Sequence, residues 1–402
     1  MPGPRYAGIN SRRTFVLSAP AGTAALADRN VASPLVGDAD TAFAPPTRGG
    51  ATSCRPIECR IVALSSEPRA DWNRYVLDHP DGTLFHTLGW RDAVAETFGH
   101  EELYLLATRG GRIVGVLPTF QVNSRFGGRM LVSVPYGVGG GILADDDEVV
   151  AALFAHARRV AEDCDCRVID LRSERAMVPD LPIIDRYVGF SRELPDRPEG
   201  VLGWLPRKAR AAARNACNKY KLTVSFGDEH LEKVWRLYSI SMRRLASLTY
   251  PPKFLERLVA ATPDQHWTCV VRWNGPTVAG LVTFLFRDRV MPYFIGTTDD
   301  AKRCSAANFI YLVTMERAVE EGYRIFDFGR SRRDNTGSYD FKRFHGFEPR
   351  PLGYQCYTRP GYAPPNLTPA NPAFALARRV WPHLPLRLTQ IVGCRLAKHI
   401  PG

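Results

Sequence analysis

The chain has 402 residues, 45% of them apolar and 10% aromatic, enough to bury a core in each of two domains. No stretch approaches the roughly 18–20 consecutive apolar residues that a membrane-spanning helix needs. Lys and Arg number 53 against 41 Asp and Glu, and the net charge of +12 favours phosphates, nucleic acid or an anionic membrane face without choosing among them.

The nine cysteines, at 54, 59, 164, 166, 217, 269, 304, 356 and 394, are odd in number and form no CxxC pair. They indicate free thiols rather than a disulfide framework, and no metal site is expected. Residues 1–55, rich in Ala, Gly, Pro and Ser, read as a disordered extension. Within them Ser11-Arg12-Arg13-Thr14-Phe15-Val16-Leu17 has the pattern of a twin-arginine export signal, but Pro20 interrupts the apolar run that follows. A cytoplasmic protein is the expectation.

Ordered sequence begins at Ile57 with an alternating strand, IECRIVAL. A helix over 70–77 follows, and Phe85-His86-Thr87 leads into a second helix ending near Gly99. Residues 103–108, 112–121 and 130–134 read as strands, the first two joined by a Gly110-Gly111 hairpin turn. An amphipathic helix from Asp145 to Asp163, with acids at its favourable end, precedes strands over 167–171 and 187–193. The second half repeats this order. Helices over 204–220, 228–245 and 254–261 accompany strands over 222–226, 267–273, 278–287 and 290–295, and then a helix over 305–321 feeds a strand over 324–328. A last strand is expected over 352–357.

The duplication is visible in residues. LFAHARRVAEDCDCRVIDLRS recurs as YLVTMERAVEEGYRIFDFGRS, so that Asp170 matches Asp327, Arg172 matches Arg330 and Ser173 matches Ser331, with one glycine inserted in the second copy. The expected fold is therefore α/β (α+β): two similar domains, each a mixed β-sheet flanked by helices. Their expected limits are 56–200 and 201–360, with a Pro-rich basic tail over 361–402.

The strand over 324–328 delivers Asp327 to a glycine-punctuated, basic loop, FDFGRSRRDNTGSYDFKRFHGF. A carboxylate and several cations at the end of a buried strand suit an anionic ligand, although a solvated loop with Asp327 paired to a neighbouring arginine would read the same way. Lys302 and Arg303 precede a helix with Ser305 as its N-cap, a second place for a phosphate, or else an ordinary capped surface helix. Residues 205–221, LPRKARAAARNACNKYK, carry six cations and no acid, which suits RNA or another anionic polymer. In FHTLGW, His86 can orient a substrate beside Trp90 or serve as a hydrogen-bonded core histidine. GxSxG, Walker, GxGxxG and HExxH motifs are absent.

FDFGRSRRDNTGSYDFKRFHGFEPRPLGYQ resembles the C-terminal signature of FemAB-related acyltransferases, in particular the PEP-CTERM/exosortase-associated subgroup. FHTLGW, IVGVLPTFQV, FGGRMLVSVPYGVGGG, the K-x-R helix at 208–214 and WPHLPLRLTQIVG agree in collinear order, so the resemblance runs from about Val62 to the end. It implies tandem GNAT-type domains and N-acyl transfer, from acyl-CoA or aminoacyl-tRNA, to an amine of a sugar-, peptide- or lipid-linked precursor of the cell envelope or exopolysaccharide. On that implication Lys342 stabilises phosphate or developing negative charge, and Asp327 orients the amine or takes its proton. Arg330 and Arg343 clamp phosphate, Ser331 stands beside them, and Tyr339 shuttles a proton or packs. The acyl-CoA motif (Gln/Arg)-x-x-Gly-x-(Gly/Ala) is missing ahead of Ser305, and the coiled-coil arm that meets tRNA is not evident. The protein is expected to be a monomer. The rival reading is a non-catalytic module that binds RNA or an anionic polymer through 205–221 and 330–343. A third is peripheral membrane attachment through the basic tail Arg378–Lys398, but Pro382 and Pro385 break its helix, which favours a tail docked on the protein instead.

Overall fold

The computed structural model describes residues 56–62, 69–363, 365–367 and 371–402; the expectations for 1–55, including the twin-arginine pattern, lie outside them. Three sheets carry the architecture. The four-stranded antiparallel sheet contains Ile57–Ile61, Leu105–Arg109, Arg112–Leu117 and Leu143–Ala144, in that order. In its central hairpin Gly110 and Gly111 have φ of 60° and 80°, the left-handed pair that a two-residue turn of this hand requires. The chain then meets Pro118. Having no N–H to give a ladder, this residue ends one strand, and Thr119–Ser124 joins a different sheet. The single strand expected over 112–121 is thus two strands in two sheets.

The five-stranded sheet runs Gln355–Thr358, Val168–Leu171, Gly128–Ser133, Thr119–Ser124 and Glu101–Glu102. The seven-stranded sheet runs Thr223–Phe226, His266–Arg272, Thr277–Phe286, Arg289–Thr297, Ile325–Arg332, Tyr187–Glu193 and Arg350–Pro351. Two segments cross between the halves of the chain. Tyr187–Glu193 pairs with Ile325–Arg332, and Gln355–Thr358 pairs with Val168–Leu171. Each half therefore supplies a strand to the other's sheet.

Pro206 breaks the helix expected over 204–220. Leu205, just before it, is extended (φ −66°, ψ 141°), which separates Pro198–Trp204 from Arg207–Asn218. On the latter, Ala209, Ala213 and Ala216 are buried, one turn apart, where the helix meets Ala306–Glu320. The longer helix is apolar almost all round, with Phe309, Ile310, Leu312, Val313 and Met315 buried beneath the seven-stranded sheet. The basic segment after Asp327 is not a loop either. The strand continues to Arg332, and Thr336–Phe344 forms a helix capped by the Asn335 side chain.

One irregularity shapes everything that follows. Arg289–Thr297 and Ile325–Arg332 run parallel and pair only at Arg289–Ile325 and Val290–Phe326. Beyond those pairs the strands part. The register against Tyr187–Glu193 also shifts between Asp327 and Arg330, where Gly329 sits at φ 65°. This is a β-bulge with its glycine in the left-handed region. The glycine inserted in the second repeat is the bulge residue.

Candidate active site

A cavity of about 360 Å³ occupies the gap where the two strands separate, and Asp327, Gly329, Arg330, Arg289 and Tyr293 are among its lining residues. Three further acids, Asp81, Glu174 and Asp288, complete a wall in which carboxylates outnumber guanidinium groups by four to three. Arg287 is one of those three, and its Nη atoms are taken by the carbonyls of Val76, Leu77, His79 and Pro80, so it closes a helix end rather than facing a ligand.

Asp327 Oδ1 accepts the Gly329 N–H at 2.7 Å, and Oδ2 lies 3.7 Å from Arg289 Nη1. Burial pushes its carboxyl above the ordinary carboxylate range, against the lowering effects of that N–H and Arg289. Glu174, exposed at the cavity's rim, is raised as well by the partial loss of water around its carboxyl, against the lowering effect of Arg289. Two carboxyl groups held above their usual range in one small cavity are suited to taking a proton from an ammonium or amine.

Lys342 stands behind the bulge. Its Nζ donates to the carbonyls of Phe328 at 2.9 Å, Gly329 at 3.3 Å and Arg330 at 2.9 Å. A bulge leaves carbonyls without ladder partners, and the three protons of this ammonium supply them. Burial pushes the Lys342 pKa down to about 7, while the nearby Asp327 charge pulls it up. The lysine therefore fixes the backbone that carries Asp327 and Arg330.

Arg330 lines this cavity and also a second, larger groove of about 1280 Å³. Its Nη1 donates to Tyr354 Oη at 3.3 Å, that hydroxyl donates to the Val138 carbonyl, and the guanidinium lies over the rings of Tyr187 and Tyr354 at 4.6 and 5.6 Å. Among the described residues no carboxylate forms an ion pair with Arg330, whereas its repeat counterpart Arg172 is paired with Asp170 at 3.0 Å. An arginine held by rings and a hydroxyl keeps its charge available for an anion.

The other expected site residues lie elsewhere. Ser331 is buried and shares a hydrogen bond with Ser338. Tyr339 packs edge-on against Phe190, and Arg343 is exposed and lines neither cavity. His86 is buried with both ring nitrogens engaged: the Thr83 N–H donates to Nδ1, so Nε2 carries the proton that faces the Gly141 carbonyl at 3.1 Å. Trp90 is fully buried among Phe85, Phe254, Phe284 and Tyr293. Both residues form wall rather than lining, because Phe85 and Tyr293 stand between them and the cavity. Lys302, Arg303 and Ser305 line neither cavity. Arg303 pairs with Asp300, and Ser305 adopts φ 57° with no side-chain cap hydrogen bond, so the expected serine cap is not formed. Among the described residues no cluster of three His, Cys, Asp or Glu side chains could hold a metal ion.

Arg289 and Glu174 were not singled out from the sequence. Glu174 follows directly on the Asp170–Ser173 segment of the first repeat, and that position was its one available signal. Arg289 opens an apolar strand with nothing local to mark it.

Residues 204–343 match the family model described as Acetyltransferase (GNAT) domain. The crystal structure of FemX superposes with a TM-score of 0.58 at 14% identity, covering 80% of this chain and 100% of that one. A tandem GNAT protein from the clavulanic acid biosynthesis pathway aligns with a TM-score of 0.49 at 12% identity, over 77% of this chain and 100% of that chain. L-PGS from Bacillus licheniformis aligns with a TM-score of 0.43 at 13% identity, over 77% and 97%. No curated protein matches. At such identities the likeness to FemX is one of fold. Residues 204–343 are thus similar to an acetyltransferase (GNAT) domain, within a mixed α/β fold like that of FemX.

Proposed function

We propose that the protein transfers an acyl or aminoacyl group to an amine of a cell-envelope or exopolysaccharide precursor, on the cytoplasmic side, with the small acidic cavity as the amine site. The supporting observation is the bulge at Asp327–Arg330, which brings a carboxyl of raised pKa and an acid-free guanidinium to the edge of one cavity. The amine nitrogen bonds to the acyl carbon, and the bond from that carbon to the donor's sulfur or oxygen breaks. The amine's surplus proton passes to Asp327 and from there to the leaving group or to water. Arg330 takes up the negative charge of the tetrahedral intermediate or of a neighbouring phosphate, and Lys342 holds the backbone of both residues in register. The FemAB-like signature over 326–355 favours the PEP-CTERM/exosortase-associated subgroup.

Replacement of Asp327 by Asn tests the reading. With purified protein, candidate amines and either acyl-CoA or aminoacyl-tRNA, transfer is expected to fall ~10²–10⁴-fold, the usual contribution of general-base catalysis. Undiminished transfer by Asp327→Asn would remove the carboxylate from the mechanism.

The donor has two forms to choose between. Arg207, Lys208, Arg214, Lys219 and Lys221 are all exposed on one basic segment, which favours an RNA-borne donor or the non-catalytic RNA-binding alternative. Binding of tRNA that weakens steeply with salt, tested with and without acyl transfer, separates these from acyl-CoA.

A further inference from the structure

The large groove and the small cavity share Arg330 as a lining residue, and the two have opposite characters. Five arginines line the groove, at 172, 186, 330, 332 and 378, against two aspartates, Asp170 and Asp334. The rest is mostly apolar, with Met130, Val168, Leu248, Trp381, Leu396 and Ile400 contributing to the walls. At about 1280 Å³ it exceeds the roughly 300–1,000 Å³ of ordinary small-molecule pockets. Water-filled apolar walls of this extent are costly unless a hydrophobic chain covers them.

A second observation lies at the mouth. Ala377 and Trp381 face the groove, while their neighbours Leu376 and Val380 are 75% and 44% exposed. Leu388 and Ile391 on the next helix, Leu386–Ala397, are also exposed, and Arg378 and Arg379 accompany the patch. Exposed apolar side chains beside arginines are the composition of a surface that rests at a lipid interface. Among the described residues no helix is long and apolar enough to cross a membrane.

We propose that the groove binds the acceptor itself, a lipid phosphate that carries its amine beyond the phosphate. The aliphatic chain lies along the apolar walls and the phosphate meets Arg330, with the exposed Arg186 beside it; Arg172 is already paired with Asp170. The amine-bearing head passes Arg330 into the acidic cavity, where Asp327 and Glu174 receive the ammonium. The order chain, phosphate, amine matches the order apolar wall, arginines, carboxylates. The inference rests on the acyl-transfer reading for what happens to the amine, but the binding it asserts does not.

The test is calorimetric titration of the full chain with alkylphosphoethanolamines of 8 to 12 carbons, each below its micelle concentration. Affinity is expected to rise about fourfold per added methylene, the increment for burying one CH₂ group. Dodecyltrimethylammonium and inorganic phosphate should each bind at least tenfold more weakly than the dodecyl compound. Leu245 lines the groove and is 60% exposed, so Leu245→Glu should fold normally and weaken the dodecyl compound about tenfold. Affinity independent of chain length, or unchanged in Leu245→Glu, overturns the proposal. So does dodecanoyl-CoA displacing the phosphoethanolamine at lower concentration, because the groove would then belong to the donor. Asp327→Asn should lose transfer and weaken the amine's hold while keeping the rise of affinity with chain length, so failure of the groove and failure of the acyl-transfer reading register in separate measurements.

Discussion

Lys342 Nζ lies 2.9 Å from the carbonyl oxygen of Arg330, and the same ammonium also reaches the carbonyls of Phe328 and Gly329. A residue expected to stabilise reacting charge instead holds the irregular backbone from which Asp327 and Arg330 project. Its ammonium does not line the cavity, and it acts through the backbone it holds.

Lys342→Met should therefore impair both stability and rate. Leaving buried carbonyls without donors costs about 1–3 kcal/mol each, so unfolding should need several kcal/mol less. Transfer should fall at least ~10²-fold in kcat, with KM for the amine changed much less, as expected when the carboxylate is misaimed and the cavity persists. Equal losses in kcat and in amine affinity would point to collapse of the cavity.

Gly329→Ala isolates the bulge. A Cβ there would have room, its nearest neighbour being Val138 Cγ2 at 3.9 Å, so the penalty is the left-handed backbone at φ 65° and not a clash. A loss of about 1–2 kcal/mol in denaturant unfolding is expected. By contrast, a Cβ at Gly141 would lie 1.9 Å from Ser173 Oγ, and Gly141→Ala should be the more damaging of the two.

The rate should depend on pH through Asp327. Because burial raises its pKa, transfer should increase with pH along a limb centred above the ordinary carboxylate range, as the proton acceptor loses its proton. That limb should be missing from the residual rate of Asp327→Asn. A limb unchanged in the variant would assign it to another group, Glu174 first.

Acid should destabilise the fold before any buried carboxylate is considered. Burial holds His86 and His100 down to about 4, against an ordinary value of 6.5. Between these values the unfolded chain binds protons that the folded chain refuses, so the stabilisation present above pH 6.5 is lost as pH falls towards 4. Each histidine accounts for on the order of 3 kcal/mol over that range. Urea midpoints measured from pH 7 to 4 should fall steeply, and His86→Gln should flatten part of the slope.

Much of the architecture was legible locally. The helix–strand repeat, the Gly110-Gly111 hairpin and the strand over 187–193 follow from periodicity and turn chemistry that act within a dozen residues. The two proline breaks were also present in the sequence, but apolar periodicity on either side of Pro118 and Pro206 masked them. The helix Thr336–Phe344 escaped notice because its turn-forming start, Asp334-Asn335, is also a good cap.

The site was legible in part. The inserted glycine, visible when Asp170-Leu171-Arg172 is set against Asp327-Phe328-Gly329-Arg330, marks the bulge that aims the carboxylate. Glu174 and Arg289 reach the same cavity from segments more than a hundred residues apart, and no local pattern announces such a meeting. His86 and Trp90 were read as candidates from a short motif, and packing decided that they support the wall.

The sequence alone determined the duplication, the mixed α/β character and the stretch that carries Asp327 and Arg330, because these rest on local periodicity and on one comparison of the chain with itself. Tertiary structure alone decided that the lysine secures carbonyls and that one arginine borders two cavities of opposite character. It also decided that an aspartate sits beside an arginine from a diverging strand. Those outcomes depend on strands exchanged between sheets, and strand pairing across such separations leaves no trace in neighbouring residues.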